Sequence, residues 1–211
     1  IKITNTFLSI CIFLTNFRLT KLKKMKKTIL TILLIVSVLT CKKNVKKTET
    51  SKTTQEVIEK TPALTIVLNP KSESAVTGTA KFVEFDGLVQ MTAKIKGLSE
   101  GSHAIHIHDK GDCSSSDGKS SGGHWNPTAQ PHGKWGAETG YHKGDIGNFV
   151  VESSEDETTV EFSTNEWCIG CGDPTKDILG KGVIVHQGVD DFVSQPSGAA
   201  GSRVSCGGII Q

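Results

Sequence analysis

Three of the chain's seven histidines fall within six positions, in the run HAIHIH at residues 103–108. Neutral imidazole is a favoured ligand of zinc and copper. Side chains on a β-strand alternate between faces with period two. If the run is a strand, His106 and His108 share one face and His103 takes the other. Two imidazoles on one rigid face make half of a metal site. His124, His132, His142 and His186 follow further along the chain, and Asp145 stands three residues after His142, close enough for both to reach one ion.

The elements that must carry these residues show in the alternation of apolar and polar side chains. LTIVLNP (64–70), VTGTAKFVEF (76–85) and LVQMTAKIKGL (88–98) read as strands. Asp86-Gly87 between the second and third is a strong hairpin signal. SHAIHIH (102–108) follows, and then alternation stops across residues 109–144, a stretch rich in Gly and Ser. A loop of that length is uncommon in a compact domain and is usually functional. It cannot build a core of its own, and a bound cation is one way to order it. Strands resume at IGNFVVE (146–152), TTVEFS (158–163), KGVIVHQ (181–187) and SRVSCGGII (202–210). No long segment of helical period interrupts them. The expected fold is all-β, a sandwich or barrel of about eight strands.

Upstream of this domain the composition changes. Residues 25–41, MKKTILTILLIVSVLTC, combine a basic start at Lys26 and Lys27 with an apolar run from Ile29 to Leu39. That is the pattern of a secretory signal and is too short for a spanning helix. It ends at Cys41 in a lipoprotein-type cleavage box, so Cys41 is the expected lipidation site. Residues 1–24 read as an upstream or removed segment. Residues 42–61 are Lys, Thr and Glu with almost no apolar content, the composition of a disordered tether. Residues 62–211 form one ordinary domain. The whole chain carries a formal charge of +2, but residues 62–211 hold 11 Lys plus Arg against 19 Asp plus Glu, a net of −8. With a secretory signal in front, nucleic acid is not an expected partner.

Cys11 and Cys41 precede the domain, which leaves Cys113, Cys168, Cys171 and Cys206, an even number in an exported domain. WCIGC (167–171) has the form of a thioredoxin-like WCxxC. That chemistry requires the motif at a helix N-terminus, where a thiolate is stabilised. Here the motif falls between two strands, so a local Cys168–Cys171 disulfide stapling a loop is expected.

In order along the chain, HAIHIHDKGDC, GGHWNP, PHG, HKGDIGN, VIVHQGVDD and GSRVSCG resemble the copper/zinc superoxide dismutases, most of all the exported bacterial branch. The resemblance runs over roughly residues 64–211. It implies an eight-stranded Greek-key β-sandwich or barrel, immunoglobulin-like, with a long metal-binding loop. It implies one copper and one zinc per subunit. Copper would be held by His106, His108, His124 and His186. Zinc would be held by His124, His132, His142 and Asp145, with the His124 ring shared between both ions. Four protein ligands make the closed set of a structural zinc site. Arg203, the only arginine of residues 62–211, would dock the substrate anion, and His124 would deliver a proton. His103 and Asp190 would support the ligands from behind, Asp190 by bridging one copper histidine and one zinc histidine. Asp191 reads as a solvated loop acid. Cys113 and Cys206 would form a disulfide.

The implied function is dismutation of superoxide to oxygen and hydrogen peroxide, protecting the cell envelope. The alternatives are a non-catalytic copper-binding or delivery module and a zinc-only structural domain. The implied location is the periplasm, as a membrane-anchored lipoprotein of a bacterial envelope, with monomer and homodimer both open. An acidic domain repels superoxide at long range, so a local cationic patch is required. The loop before Arg203 contains no lysine, and Lys110, Lys134 or Lys143 are the expected sources.

Overall fold

A computed structural model describes residues 62–210. The expected upstream segment, signal sequence, lipidation site and tether lie outside the described residues. Eight strands make up the fold: β1 (Ala63–Pro70), β2 (Thr77–Phe85), β3 (Leu88–Lys96), β4 (Gly101–His108), β5 (Gly147–Val151), β6 (Thr158–Thr164), β7 (Gly182–His186) and β8 (Arg203–Gly208). Each lies within two residues of the run read from the sequence. The only helical element among the described residues is the short 3-10 turn Lys119–Ser121.

The strands pair antiparallel in the order β5-β4-β7-β8-β1-β2-β3-β6. The two ends of that order, β5 and β6, approach each other, so the sheet rolls into a nearly closed barrel. β3 to β4 and β6 to β7 cross from one half of the barrel to the other, which is the Greek-key arrangement. Asp86 and Gly87 both adopt positive φ, 53° and 71°, and close the β2–β3 hairpin with Phe85 opposite Leu88. This is the backbone that a two-residue hairpin turn requires, and Asp-Gly accepts it at low cost.

On β3 the inward side chains Val89, Met91, Ala93 and Ile95 alternate with polar residues facing solvent. β4 departs from that rule: every residue from His103 to His108 is buried. Ile105 and Ile107 point into the apolar core. His106 and His108 occupy the opposite face, which the long loop covers. The loop is zipped onto β4 by its backbone: Trp125 N donates to Ile107 O, Ile107 N to Gly144 O and Gly144 N to Trp125 O, at 2.8, 2.9 and 3.0 Å. A Cβ at position 144 would collide with the Ile107 carbonyl oxygen, so only glycine lets the two backbones approach this closely.

Cys113 in this loop is disulfide-bonded to Cys206 on β8, with a Cα–Cα distance of 5.8 Å across a sequence separation of 93. The bridge fastens the loop to β8, two strands along the sheet from the Trp125–Gly144 zipper on β4. Closing a loop of this length is worth roughly 4–5 kcal/mol on chain-entropy grounds. Cys113→Ser should therefore lower the urea midpoint of unfolding by an amount equivalent to roughly 3–5 kcal/mol. An unchanged midpoint would show that the bridge does not constrain the unfolded chain.

Candidate metal centre

Two clusters of buried donors lie beside each other and share one residue. His106, His108, His124 and His186 form the first, and His124, His132, His142 and Asp145 form the second; within each, the donor atoms lie within 4.8 Å of one another. β4 supplies His106 and His108, β7 supplies His186, and the long loop supplies the rest. A bulge shifts the β7–β8 register between Val185 and His186, placing His186 opposite Arg203. Bulges of this kind re-aim side chains at functional sites.

Six ring nitrogens in these clusters are buried without a hydrogen-bond partner: His106 Nδ1, His108 Nε2, His124 Nε2, His132 Nδ1, His142 Nδ1 and His186 Nε2. Buried polar atoms are almost always paired. Leaving one unpaired costs about 1–3 kcal/mol. Six in one place fit cations: five of the rings turn their other nitrogen toward a fixed partner, and Nδ1 of His132 and of His142 face the Asp145 carboxylate at 3.0 and 3.3 Å, as ligands around one ion would. His108 Nδ1 lies 2.9 Å from Gly122 O. His106 Nε2 and His132 Nε2 each lie 2.9 Å from a different oxygen of Asp190. One carboxylate thus orients a ring in each cluster, and carboxylates in this position fix ring tautomer and direction. Asp190 is itself anchored by Asn148, which accepts from its N–H and donates to its carbonyl, both at 2.8 Å.

His124 faces both ways. Its Nδ1 lies 2.8 Å from Asp145 Oδ1, and its unpartnered Nε2 belongs to the first cluster. Asp145 also accepts N–H bonds from His142 at 2.8 Å and Gly133 at 3.2 Å. His103 stands outside both clusters. Its Nε2 lies 2.9 Å from Ser99 O and its Nδ1 3.2 Å from His186 O, so it ties β4 to the end of β7.

Burial is the main reason the His108 and His186 rings stay neutral, and the charges of neighbouring imidazoles add to it. Burial also pushes His124 down, to about 4, against the opposing pull of Asp145. For Asp190, burial acts upward but is outweighed by bonds from His106, Phe192 N–H and His132, which hold it at about 2. Asp145 is held low in the same way by His124 and His142. Neutral rings and ionised carboxylates are the states that ligate metals. The donor set therefore fits copper in the all-histidine cluster and zinc in the cluster containing Asp145.

A cleft of about 690 Å³ opens over the first cluster and reaches His108, His124, His186, Arg203 and Lys119. Arg203 Nη1 donates to Gly118 O at 2.9 Å and to Ser121 Oγ at 3.0 Å, which fixes the guanidinium at the cleft wall. The cation at the rim is Lys119, which the sequence reading passed over. Lys110, Lys134 and Lys143 do not line the cleft. Lys143 forms an ion pair with Glu166, which also accepts from Tyr141 Oη at 2.6 Å. Lys143 is thereby committed to an ion pair outside the cleft. Lys119 was hidden because its position depends on how the glycine-rich loop folds.

An antiparallel barrel with two adjoining histidine clusters and an open cleft above one of them defines a β-barrel of the class that could hold two metal ions side by side. The family model for copper/zinc superoxide dismutase (SODC) matches residues 76–209. The superoxide dismutase [Cu-Zn] 2 of Aquifex aeolicus is 33% identical over 141 residues, 64% of this chain and 80% of its own length. The extracellular superoxide dismutase [Cu-Zn] of Caenorhabditis elegans is 32% identical over 145 residues, 66% of this chain and 63% of its own length. Among solved structures, a SOD-like protein from Bacillus subtilis aligns with a TM-score of 0.61 at 28% identity, covering 69% of this chain and 97% of that one. The clock protein EA4 aligns with a TM-score of 0.59 at 31% identity, covering 70% and 94%. This chain belongs to the copper/zinc superoxide dismutase family.

The depressed histidine pKa values carry a pH signature. An unfolded histidine titrates near 6.5, and folded His124 near 4. Between those values the unfolded state binds more protons, so stability falls as pH falls. Chelator-treated protein should show a lower urea midpoint at about pH 5 than at about pH 7. Equal midpoints would mean that these rings are not desolvated in the fold.

Proposed function

We propose that this chain is an exported copper/zinc superoxide dismutase, converting two superoxide radicals and two protons into oxygen and hydrogen peroxide. The observation that carries the reading is the His124 ring, shared by two donor clusters beneath a cleft that Arg203 lines. Copper would be held by His106, His108, His124 and His186, and zinc by His124, His132, His142 and Asp145. When bound, copper supplies a one-electron couple at the cleft floor and zinc a fixed charge behind the shared ring.

The protein's own groups do the rest. Arg203 presents a permanent positive charge and fixed donors to a small anion. Its bonds to Gly118 and Ser121 keep it in place as substrate arrives and leaves. His124 Nε2 faces the copper-side cluster, where it can hold a proton and give it to the reduced substrate. The zinc-side donors around its opposite nitrogen, Asp145 among them, would keep the ring from rotating. Asp190 holds the His106 and His132 rings and Gly122 O the His108 ring, so that these donors do not rearrange during turnover. Lys119 lies at the cleft rim beside Asp117, 3.0 Å away. Asp117, which also lines the cleft, offsets part of its charge, so Arg203 carries most of the local positive field that can override net charge.

A copper-delivery module has no use for a fixed guanidinium over its cation or for a ring shared with a second site. Both features favour catalysis. Export is supported by two disulfides, which persist in oxidising compartments. We place the enzyme in a bacterial envelope, anchored at Cys41 through the tether of residues 42–61.

The test is a xanthine oxidase–cytochrome c assay on protein loaded with copper and zinc. Activity is expected, and its absence from fully loaded protein would favour the binding module. Arg203→Gln should lower kcat/KM by roughly tenfold, and Lys119→Gln by a smaller factor with a weaker dependence on ionic strength. An unchanged salt dependence in the Lys119 variant would remove it from the steering role.

A further inference from the structure

The connection from β6 to β7 carries chemistry that the dismutase reading does not use. Cys168 and Cys171 are disulfide-bonded there, with Cα atoms 6.0 Å apart. Their separation of three residues closes a very short loop, so the bridge restrains little of the unfolded chain. It is not needed to hold the native loop either. Cys168 N donates to Lys176 O and Ile178 N to Cys168 O, at 2.9 and 3.1 Å. Ile169 N donates to Glu84 Oε2 at 2.7 Å. Ile169 and Ile178 are packed into the core. The Asp177 carboxylate accepts from Gly170 N, Gly172 N and Leu179 N, at 2.9, 2.9 and 3.0 Å. None of these bonds runs through sulfur, so the loop keeps its shape when the S–S bond is cleaved.

What the loop does hold together is a set of donors. The sulfurs of Cys168 and Cys171 and a carboxylate oxygen of Asp177 lie within 4.8 Å of one another. An ionised carboxylate has about four acceptor positions. Three are taken by the backbone N–H groups, which leaves one directed elsewhere. Cys168 is buried and Cys171 is exposed, so the pair is open to solvent on one side and walled on the other. Two thiolates select soft cations.

We propose that Cys168, Cys171 and Asp177 form a second metal site, gated by oxidation state, which takes a soft d10 cation, Zn(II) or Cu(I), when the disulfide is reduced. A dithiol or phosphine reductant gives two electrons to the S–S bond. The bond breaks into two thiols, and the reductant leaves as its disulfide, having given up its two protons, or as the phosphine oxide, with one water supplying the oxygen and both protons. The cation then displaces the two thiol protons. A small-molecule disulfide takes the two electrons back by exchange and leaves as two thiols, and the re-formed S–S bond expels the cation. The site shares no ligand with the histidine clusters, so it stands or falls independently of the dismutase reading.

Cobalt(II) distinguishes the sites, because thiolate ligands give a strong near-ultraviolet charge-transfer band and imidazole and carboxylate ligands do not. The full chain, with its histidine clusters filled by copper and zinc, is titrated with Co(II) before and after phosphine reduction. The band should appear at one equivalent only after reduction, and should be lost in Cys168→Ser/Cys171→Ser. Zn(II) and Cu(I), added separately, should each displace it, and the tighter competitor identifies the preferred cation. Three results would overturn the proposal: no band once thiol counting confirms that the bridge is open, a bridge that resists the phosphine, or a band that persists in the double variant. The last would assign the sulfur to the remaining cysteines, Cys11, Cys41, Cys113 or Cys206.

Discussion

His124 is the point on which the rest of the structure converges. Its ring stands between two sets of buried donors, and neither set is complete without it. A cluster of desolvated imidazoles is expensive in isolation, because each unpaired ring nitrogen has lost water and gained nothing. The fold tolerates six of them because each ring is tied at its other nitrogen or at its backbone. The barrel supplies rigidity, the long loop supplies donors, and the Cys113–Cys206 bridge with the Trp125–Gly144 zipper presses one onto the other. The zipper and the bridge explain how a segment without a core of its own covers one face of β4.

The same geometry resolves the conflict between an acidic domain and an anionic substrate. Net charge acts at long range and is screened within roughly 10 Å at moderate salt. The field that matters is inside the cleft, where Arg203 and Lys119 are the cations. Lys143, by contrast, is committed to Glu166, so its charge stabilises the wall next to His142 instead of reaching solvent.

Much of this was legible in the sequence. Alternation located all eight strands because an antiparallel barrel buries one face of most of them. β4 and β7 are exceptions, buried on both faces, and HAIHIH showed itself through residue type. The parity of the run separated His103 from His106 and His108, and the structure keeps them on opposite faces. Other features were out of reach. The bulge at Val185–His186 leaves no mark in composition, yet it sets Arg203 opposite His186. Ser121 reads as one serine among many, although its buried hydroxyl holds the Arg203 guanidinium. Which lysine reaches the cleft depends on the path of a glycine-rich loop, and alternation says nothing about such paths.

The central claim, that one ring joins two cations, has a direct spectroscopic test. Protein prepared with Cu(II) in both clusters should show paramagnetic resonance from two spins coupled through the His124 ring, with the signal of isolated Cu(II) suppressed. Two independent Cu(II) signals that sum to the full copper content would contradict it.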